Sequence, residues 1–124
     1  MKKENRKKGG LGEDIAESYL AKIGYKILYK NWSNKFGELD LVVSNNNSLI
    51  FVEVKLKVGD DFGSPEEMIN RLKLAKIQKT SEMFLQNYSE LSKKYDSYQI
   101  DAVCIVVDKD NVISRINHYE NISF

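Results

Sequence analysis

Apolar side chains recur at helical spacing at Ile15, Ala16, Tyr19, Leu20 and Ile23 and stop at Gly24, which predicts a first helix over roughly residues 11–23. Tyr25–Tyr29 is short and β-prone, and the polar stretch Lys30–Gly37 reads as a loop. Two apolar runs follow, Glu38–Ser44 and Ser48–Lys57, each predicting a strand. Asn45-Asn46-Asn47 between them predicts a hairpin turn, because asparagine tolerates the positive φ that tight turns require. After a loop at Val58–Gly63, Ser64-Pro65-Glu66-Glu67 predicts a helix start, with Ser64 as N-cap, Pro65 in the first turn and Glu67 closing a capping box. Ile69, Leu72, Ala75, Ile77 and Phe84 form the apolar side of this second helix out to about Asn87, and Ser89–Ser97 reads as a helix end plus loop. Tyr98–Val107 is nearly all apolar apart from Asp101, the pattern of a strand buried on both faces. A turn at Asp108–Asn111 then leads into a last strand over Val112–Tyr119.

A chain of 124 residues with this pattern is expected to form a single domain over 1–124, and 42% hydrophobic with 30% charged residues is an ordinary globular balance. Apolar runs such as Val103–Val107 are far short of the roughly 20 residues of a membrane span. The first residues are too charged for a signal peptide, so a cytoplasmic protein away from membranes is expected. Cys104 lies inside an apolar run and is expected to be a small core residue. The net charge of +1 conceals a segregation. Residues 1–8 carry Lys2, Lys3, Arg6, Lys7 and Lys8 against Glu4 and are expected to be flexible, adding nonspecific affinity for phosphates; residues 71–79 carry Arg71, Lys73, Lys76 and Lys79 without an acid. From Glu38 to Glu67 the chain carries Glu38, Asp40, Glu53, Asp60, Asp61, Glu66 and Glu67 with only Lys55 and Lys57. An acidic centre with basic flanks suits a metal-assisted enzyme acting on a polyanion, and equally a solvated surface.

The hairpin decides more. If Asn46-Asn47 is a two-residue turn, Val43 faces Ile50, Leu41 faces Val52, Asp40 faces Glu53 and Glu38 faces Lys55. That register matches apolar with apolar but sets two carboxylates opposite each other, with Cα atoms about 4.5–5.5 Å apart. A hard divalent cation shared by both carboxylates would offset the repulsion, and alternation along the strand places Lys55 on the same face as Glu53. Phosphodiester hydrolysis needs these parts: a cation to polarise the phosphate and activate water, and a lysine to orient that water or stabilise charge on phosphorus. The competing reading is an Asp40–Lys55 salt bridge on an exposed sheet face.

Asp40 followed on the next strand by Glu53-Val54-Lys55 resembles the PD-(D/E)XK nuclease signature. Together with Gly12-Glu13 and Ala16, Gly37-Glu38-Leu39-Asp40-Leu41-Val42, Phe51-Val52-Glu53-Val54-Lys55 and Asp101 within Ile100–Val106, the chain resembles the small bacterial YraN family of predicted endonucleases over about residues 9–107. That family is similar in turn to archaeal Holliday junction resolvases. The resemblance implies an α/β domain of restriction-endonuclease-like fold, a mixed central β-sheet flanked by helices. It also implies a Mg²⁺- or Mn²⁺-dependent endonuclease acting on DNA, with branched or structured DNA as candidate substrates. Carried over, it makes Asp40 and Glu53 the metal ligands and Lys55 the catalytic lysine. Glu13 becomes the acid that reaches the metal, through water, with Glu17 one turn later as its alternative. Gly37 is expected to let the chain approach Asp40, and Glu38 to partner Lys55. Lys73 matches a family lysine and, four residues from both Ile69 and Ile77, falls on the sheet-facing stripe. Lys57 stands where the family commonly has arginine, which keeps the charge but loses the bidentate grip on phosphate. Lys73, Lys57 and Arg71 are therefore the candidate nucleic-acid contacts.

Other signals are weaker. His118 has no acid at catalytic spacing in the sequence and is expected to be structural or at the surface. Trp32 and Phe36 are expected to anchor a loop, with base stacking as the alternative. Asp101, costly to bury unpaired, is expected to salt-bridge a lysine of the second helix. The alternative to an enzyme is a non-catalytic nucleic-acid-binding or protein-interaction module that keeps the fold. A homodimer is expected if two strands are cut symmetrically.

Overall fold

The computed structural model describes residues 2–59 and 61–122, with side chains described from Gly10 onward. Its elements are α1 (Lys2–Lys22), β1 (Lys26–Asn34), β2 (Gly37–Asn45), β3 (Ser48–Val58), a 3₁₀ turn (Pro65–Met68), α2 (Arg71–Asn87), α3 (Ser89–Ser92), β4 (Ser97–Val107) and β5 (Ile113–Tyr119). The strands form one sheet in chain order. β3 and β4 are parallel because α2 carries the chain across one face between them, and every other neighbour is antiparallel. The result is the mixed sheet with helices on both sides expected of a restriction-endonuclease-like α/β fold.

Each face has its own apolar layer. Ala16 and Leu20 of α1 pack on Leu41, Val43, Ile50, Val52, Val103 and Ile105. Ile77 and Phe84 of α2 pack on Leu39, Val42, Leu49, Phe51 and Ile100. β3 and β4 contribute to both layers, which explains their continuous apolar runs. α1 lies close to β3 because Gly12 faces it: a Cβ at residue 12 would come within 3.2 Å of the Leu56 Cβ. Glycine weakens a helix by about 1 kcal/mol relative to alanine, and here the close approach brings Glu13 towards the sheet.

Three boundaries differ from those the sequence predicts. α1 begins at Lys2, since the Lys, Arg and Glu residues before Gly9 are good helix formers; the side chains of the basic segment lie outside the described residues. β1 runs through the expected loop to Asn34, an edge strand whose polar positions face solvent, and the turn is only Lys35-Phe36. The Asn34 carboxamide oxygen closes that turn by accepting the N–H groups of Phe36 (2.9 Å) and Gly37 (3.0 Å). The second helix is split: Glu67 accepts the Ser64 N–H (3.3 Å) as a capping box would have it, but the turn ends at Met68. α2 then starts afresh with Asn70 as N-cap, accepting the Lys73 N–H at 2.9 Å.

Candidate active site

β2 and β3 pair from Asn45 with Ser48 to Leu41 with Val52, the register the Asn turn predicts, with Asn46 at a φ of 54°. The ladder ends there, so the expected main-chain pairs Asp40 with Glu53 and Glu38 with Lys55 do not form. The cause is the Asp40 side chain, whose Oδ2 accepts the Val54 N–H at 2.8 Å. A carboxylate has taken the place of a strand carbonyl. The chain turns over at this point: Leu41 packs on the α1 layer, whereas Leu39, two residues earlier, packs on the α2 layer.

The carboxylates meet nonetheless. Asp40 and Glu53 share a side-chain hydrogen bond, and burial, reinforced by the neighbouring Glu53 charge, pushes the Asp40 carboxyl up to about 8. Glu53 is 4% exposed, and the ammonium groups of Lys55 and Lys73 each lie 3.5 Å from its Oε2. Lys73 thus reaches the sheet from α2, where its spacing from Ile69 and Ile77 puts it. The geometry is therefore not the exposed Asp40–Lys55 bridge of the competing reading.

Glu13 on α1 does not join the pair, but it lies near enough for its charge to act on Asp40. Burial raises the Glu13 carboxyl above its ordinary range, a hydrogen bond from Asn31 opposes this, and Glu38 adds to the rise. Asn31 is held at a positive φ of 54° in β1, within the polar stretch whose sequence predicts only a loop. Glu17 instead pairs with Lys30 at 3.0 Å. Lys57 points away to the Phe62 carbonyl (3.5 Å), and Arg71 is exposed at the first turn of α2.

The role expected of Gly37 changes. A Cβ there would collide with Thr80 Oγ1, so the glycine admits α2 against the hairpin rather than easing the chain towards Asp40. Glu38 faces Ser33 across the hairpin and is exposed. Where hairpin and helix meet they enclose a cleft of about 440 Å³ lined by Lys35, Phe36, Glu38, Lys73 and Lys76 among others. Trp32 is an anchor, stacked edge-on to Phe84 and donating to the Tyr88 hydroxyl at 3.1 Å. Phe36 is not: it is 57% exposed at the cleft.

Asp101 overturns its expected partner. Completely buried on the α1 face of β4, it has α2 and its lysines on the other side of the sheet. It accepts from Gln99 Nε2 (2.8 Å) and the Asn121 N–H (2.9 Å), and its Oδ2 is 2.8 Å from His118 Nε2. His118, with Tyr19 and Tyr25 edge-on at 5.6 and 5.7 Å, has the structural role expected of it, but with an acid beside it that only the β4–β5 pairing could supply. Cys104 is buried, and burial pushes its thiol up to about 12, as suits a core residue.

The Asp40–Glu53 pair offers two hard oxygen donors, and among the described residues no three acidic, histidine or cysteine side chains converge to hold a metal ion. Such a pair fits a hard cation that keeps most of its water, as Mg²⁺ does, and does not fit a closed cage of the structural-zinc type. Fold and site together define an α/β domain of restriction-endonuclease-like architecture with a carboxylate pair, Glu53 buried and Asp40 half-buried, and two lysines against Glu53. The chain belongs to the uncharacterised protein family UPF0102, whose family model matches residues 12–105. It is 38% identical over 117 residues to a UPF0102 protein of Syntrophomonas wolfei, covering 94% of this chain and 97% of that one. A UPF0102 protein of Caldanaerobacter subterraneus is 37% identical, with 98% of each chain covered. A shorter match to one from Fusobacterium nucleatum is 41% identical over 81% of this chain and 80% of that one. Among the described residues no helix is long and apolar enough to cross a membrane.

Proposed function

We propose that this protein is a cytoplasmic, metal-dependent endonuclease that hydrolyses phosphodiester bonds in DNA. The observation that carries the reading is the geometry of the Asp40–Glu53 pair: a buried Glu53 beside a half-buried Asp40 that is tied to the Val54 N–H, with the Lys55 and Lys73 ammonium groups each 3.5 Å from Glu53, an arrangement in which burial and the neighbouring charge push the Asp40 carboxyl up. A protein gains nothing in stability from such a pair, and catalytic sites are where this cost is commonly met. Asp40 and Glu53 would hold Mg²⁺ or Mn²⁺, which supplies Lewis-acid polarisation of the phosphate and a water of lowered pKa. Lys55, anchored on Glu53, positions its ammonium to stabilise the charge that develops on the phosphoryl oxygens or to orient the attacking water. Lys73 approaches from the opposite element and holds the scissile or an adjacent phosphate. Glu13 lies on the α1 side, where it can take a proton from water. Lys57 and Arg71 contact flanking phosphates.

One observation favours the non-catalytic module: Lys55 and Lys73 already balance Glu53 without a cation. Calorimetric titration with Mn²⁺ separates the two. The nuclease reading expects binding to the wild type that is lost in Asp40→Ala; absence of binding by the wild type would leave the module.

A further inference from the structure

The cleft beside the carboxylates has a composition that the hydrolytic site does not require. Phe36 stands at the tip of the β1–β2 hairpin, more than half exposed, where burying a ring of this size would be the ordinary outcome. It is held there by backbone geometry, because the Asn34 carboxamide oxygen accepts the N–H groups of Phe36 itself and of Gly37. The Lys35 ammonium lies 5.3 Å from the ring centroid, which places a cation against the aromatic surface. Across the cleft stand Lys73 and Lys76, successive on one face of α2, and Lys73 also touches Glu53. The cleft therefore sets an exposed aromatic ring opposite ammonium groups, and Lys73 links its wall to Glu53 of the carboxylate pair.

We propose, resting on the nuclease reading, that this cleft seats one unpaired nucleotide next to the scissile phosphate, its base stacked on Phe36 and its phosphate held by Lys73 and Lys76. A volume of about 440 Å³ is that of a small-ligand site, sufficient for a single splayed nucleotide and too small for a duplex. Aromatic stacking needs an exposed π-face, which a base offers only when it leaves the double helix. The substrate class is accordingly DNA with an unpaired nucleotide at the cleavage point, such as a single strand, a flap or a branch point, in preference to continuous duplex.

The test is fluorescence anisotropy with a labelled single-stranded oligonucleotide, and with its duplex, in EDTA, for the wild type, Phe36→Ala and Phe36→Tyr. Phe36 is exposed, so both variants should fold as the wild type does. Loss of one stacked base predicts roughly five- to hundredfold weaker single-strand binding by Phe36→Ala, near-normal binding by Phe36→Tyr and a change under twofold on duplex. Equal single-strand affinity in wild type and Phe36→Ala, equal losses on both DNAs, or no single-strand binding by the wild type would each overturn the proposal. Cleavage by the same proteins in Mg²⁺ keeps the two readings apart. Cutting by the wild type with no binding defect in Phe36→Ala removes the cleft alone, whereas a selective defect without cutting supports the cleft and removes the nuclease.

Discussion

Replacing Asp40 by asparagine should stabilise the metal-free protein while disabling it. Asparagine has the shape of a protonated aspartate: its oxygen can accept the Val54 N–H that Asp40 Oδ2 accepts at 2.8 Å, and its NH₂ can donate to Glu53. The folded protein keeps the Asp40 proton up to about pH 8, whereas the unfolded chain releases it near the ordinary carboxyl value of 3.8. Between those values the native state binds more protons than the unfolded state, so stability is highest at the acid end and falls as pH rises. Each pH unit in the window is worth about 1.4 kcal/mol, which sets an upper bound of about 6 kcal/mol; sharing of the proton with Glu53 and relaxation of Lys55 and Lys73 bring the expected loss nearer 2–3 kcal/mol. Urea unfolding in EDTA at pH 5, 6.5 and 8 measures it directly. Wild type should lose stability across the series, Asp40→Asn should be nearly flat and more stable than wild type by about 2 kcal/mol at pH 8. A variant less stable than wild type at pH 8, or one with the same slope, would refute the electrostatic description of the pair.

Gly37→Ala should cost about 1–3 kcal/mol by driving a Cβ into Thr80, and the double variant with Thr80→Ala should recover most of it, as thermal unfolding will show. The Arg115 guanidinium and the Tyr119 hydroxyl hold the Glu66 carboxyl down at about 2. Its stabilising effect is present above about pH 4.5 and disappears as pH falls towards 2, so Glu66→Gln should melt lower than wild type at pH 7 and alike near pH 2, by calorimetry. Asp101→Ala leaves His118, Gln99 and the Asn121 N–H without their common acceptor in the core and should cost about 3 kcal/mol, measured by urea unfolding, with the turnover of the folded fraction unchanged.

The hairpin was legible because its information is local. Alternating Leu41, Val43, Ile50 and Val52 around an Asn turn leave one register that buries them together, and that register brings Asp40 to Glu53. The divergence at Asp40 was not legible, since it depends on a side chain outcompeting a main-chain carbonyl for one N–H group. Beyond Tyr29 the sequence of β1 resembles a loop, because an edge strand exposed to solvent carries no alternation that distinguishes it from one. The break before α2 did have a signal: Asn70, a strong N-cap, stands immediately before the basic run. Asp101 and His118 meet only through β4–β5 pairing, which no short-range pattern encodes. Phe36 looked like Trp32 in the sequence; what separates them is that Trp32 sits in a strand over Phe84 while Phe36 sits at the turn.

Cleavage itself is the most direct measurement. Labelled linear duplex, single-stranded, flap and four-way-junction DNA should be incubated with wild type and Glu53→Gln, purified identically, in Mg²⁺, in Mn²⁺ and in EDTA. The account predicts cutting that requires the cation and falls at least a hundredfold in Glu53→Gln. Cutting that persists in EDTA or in Glu53→Gln, or no cutting of any substrate by a wild type that binds them, would contradict it.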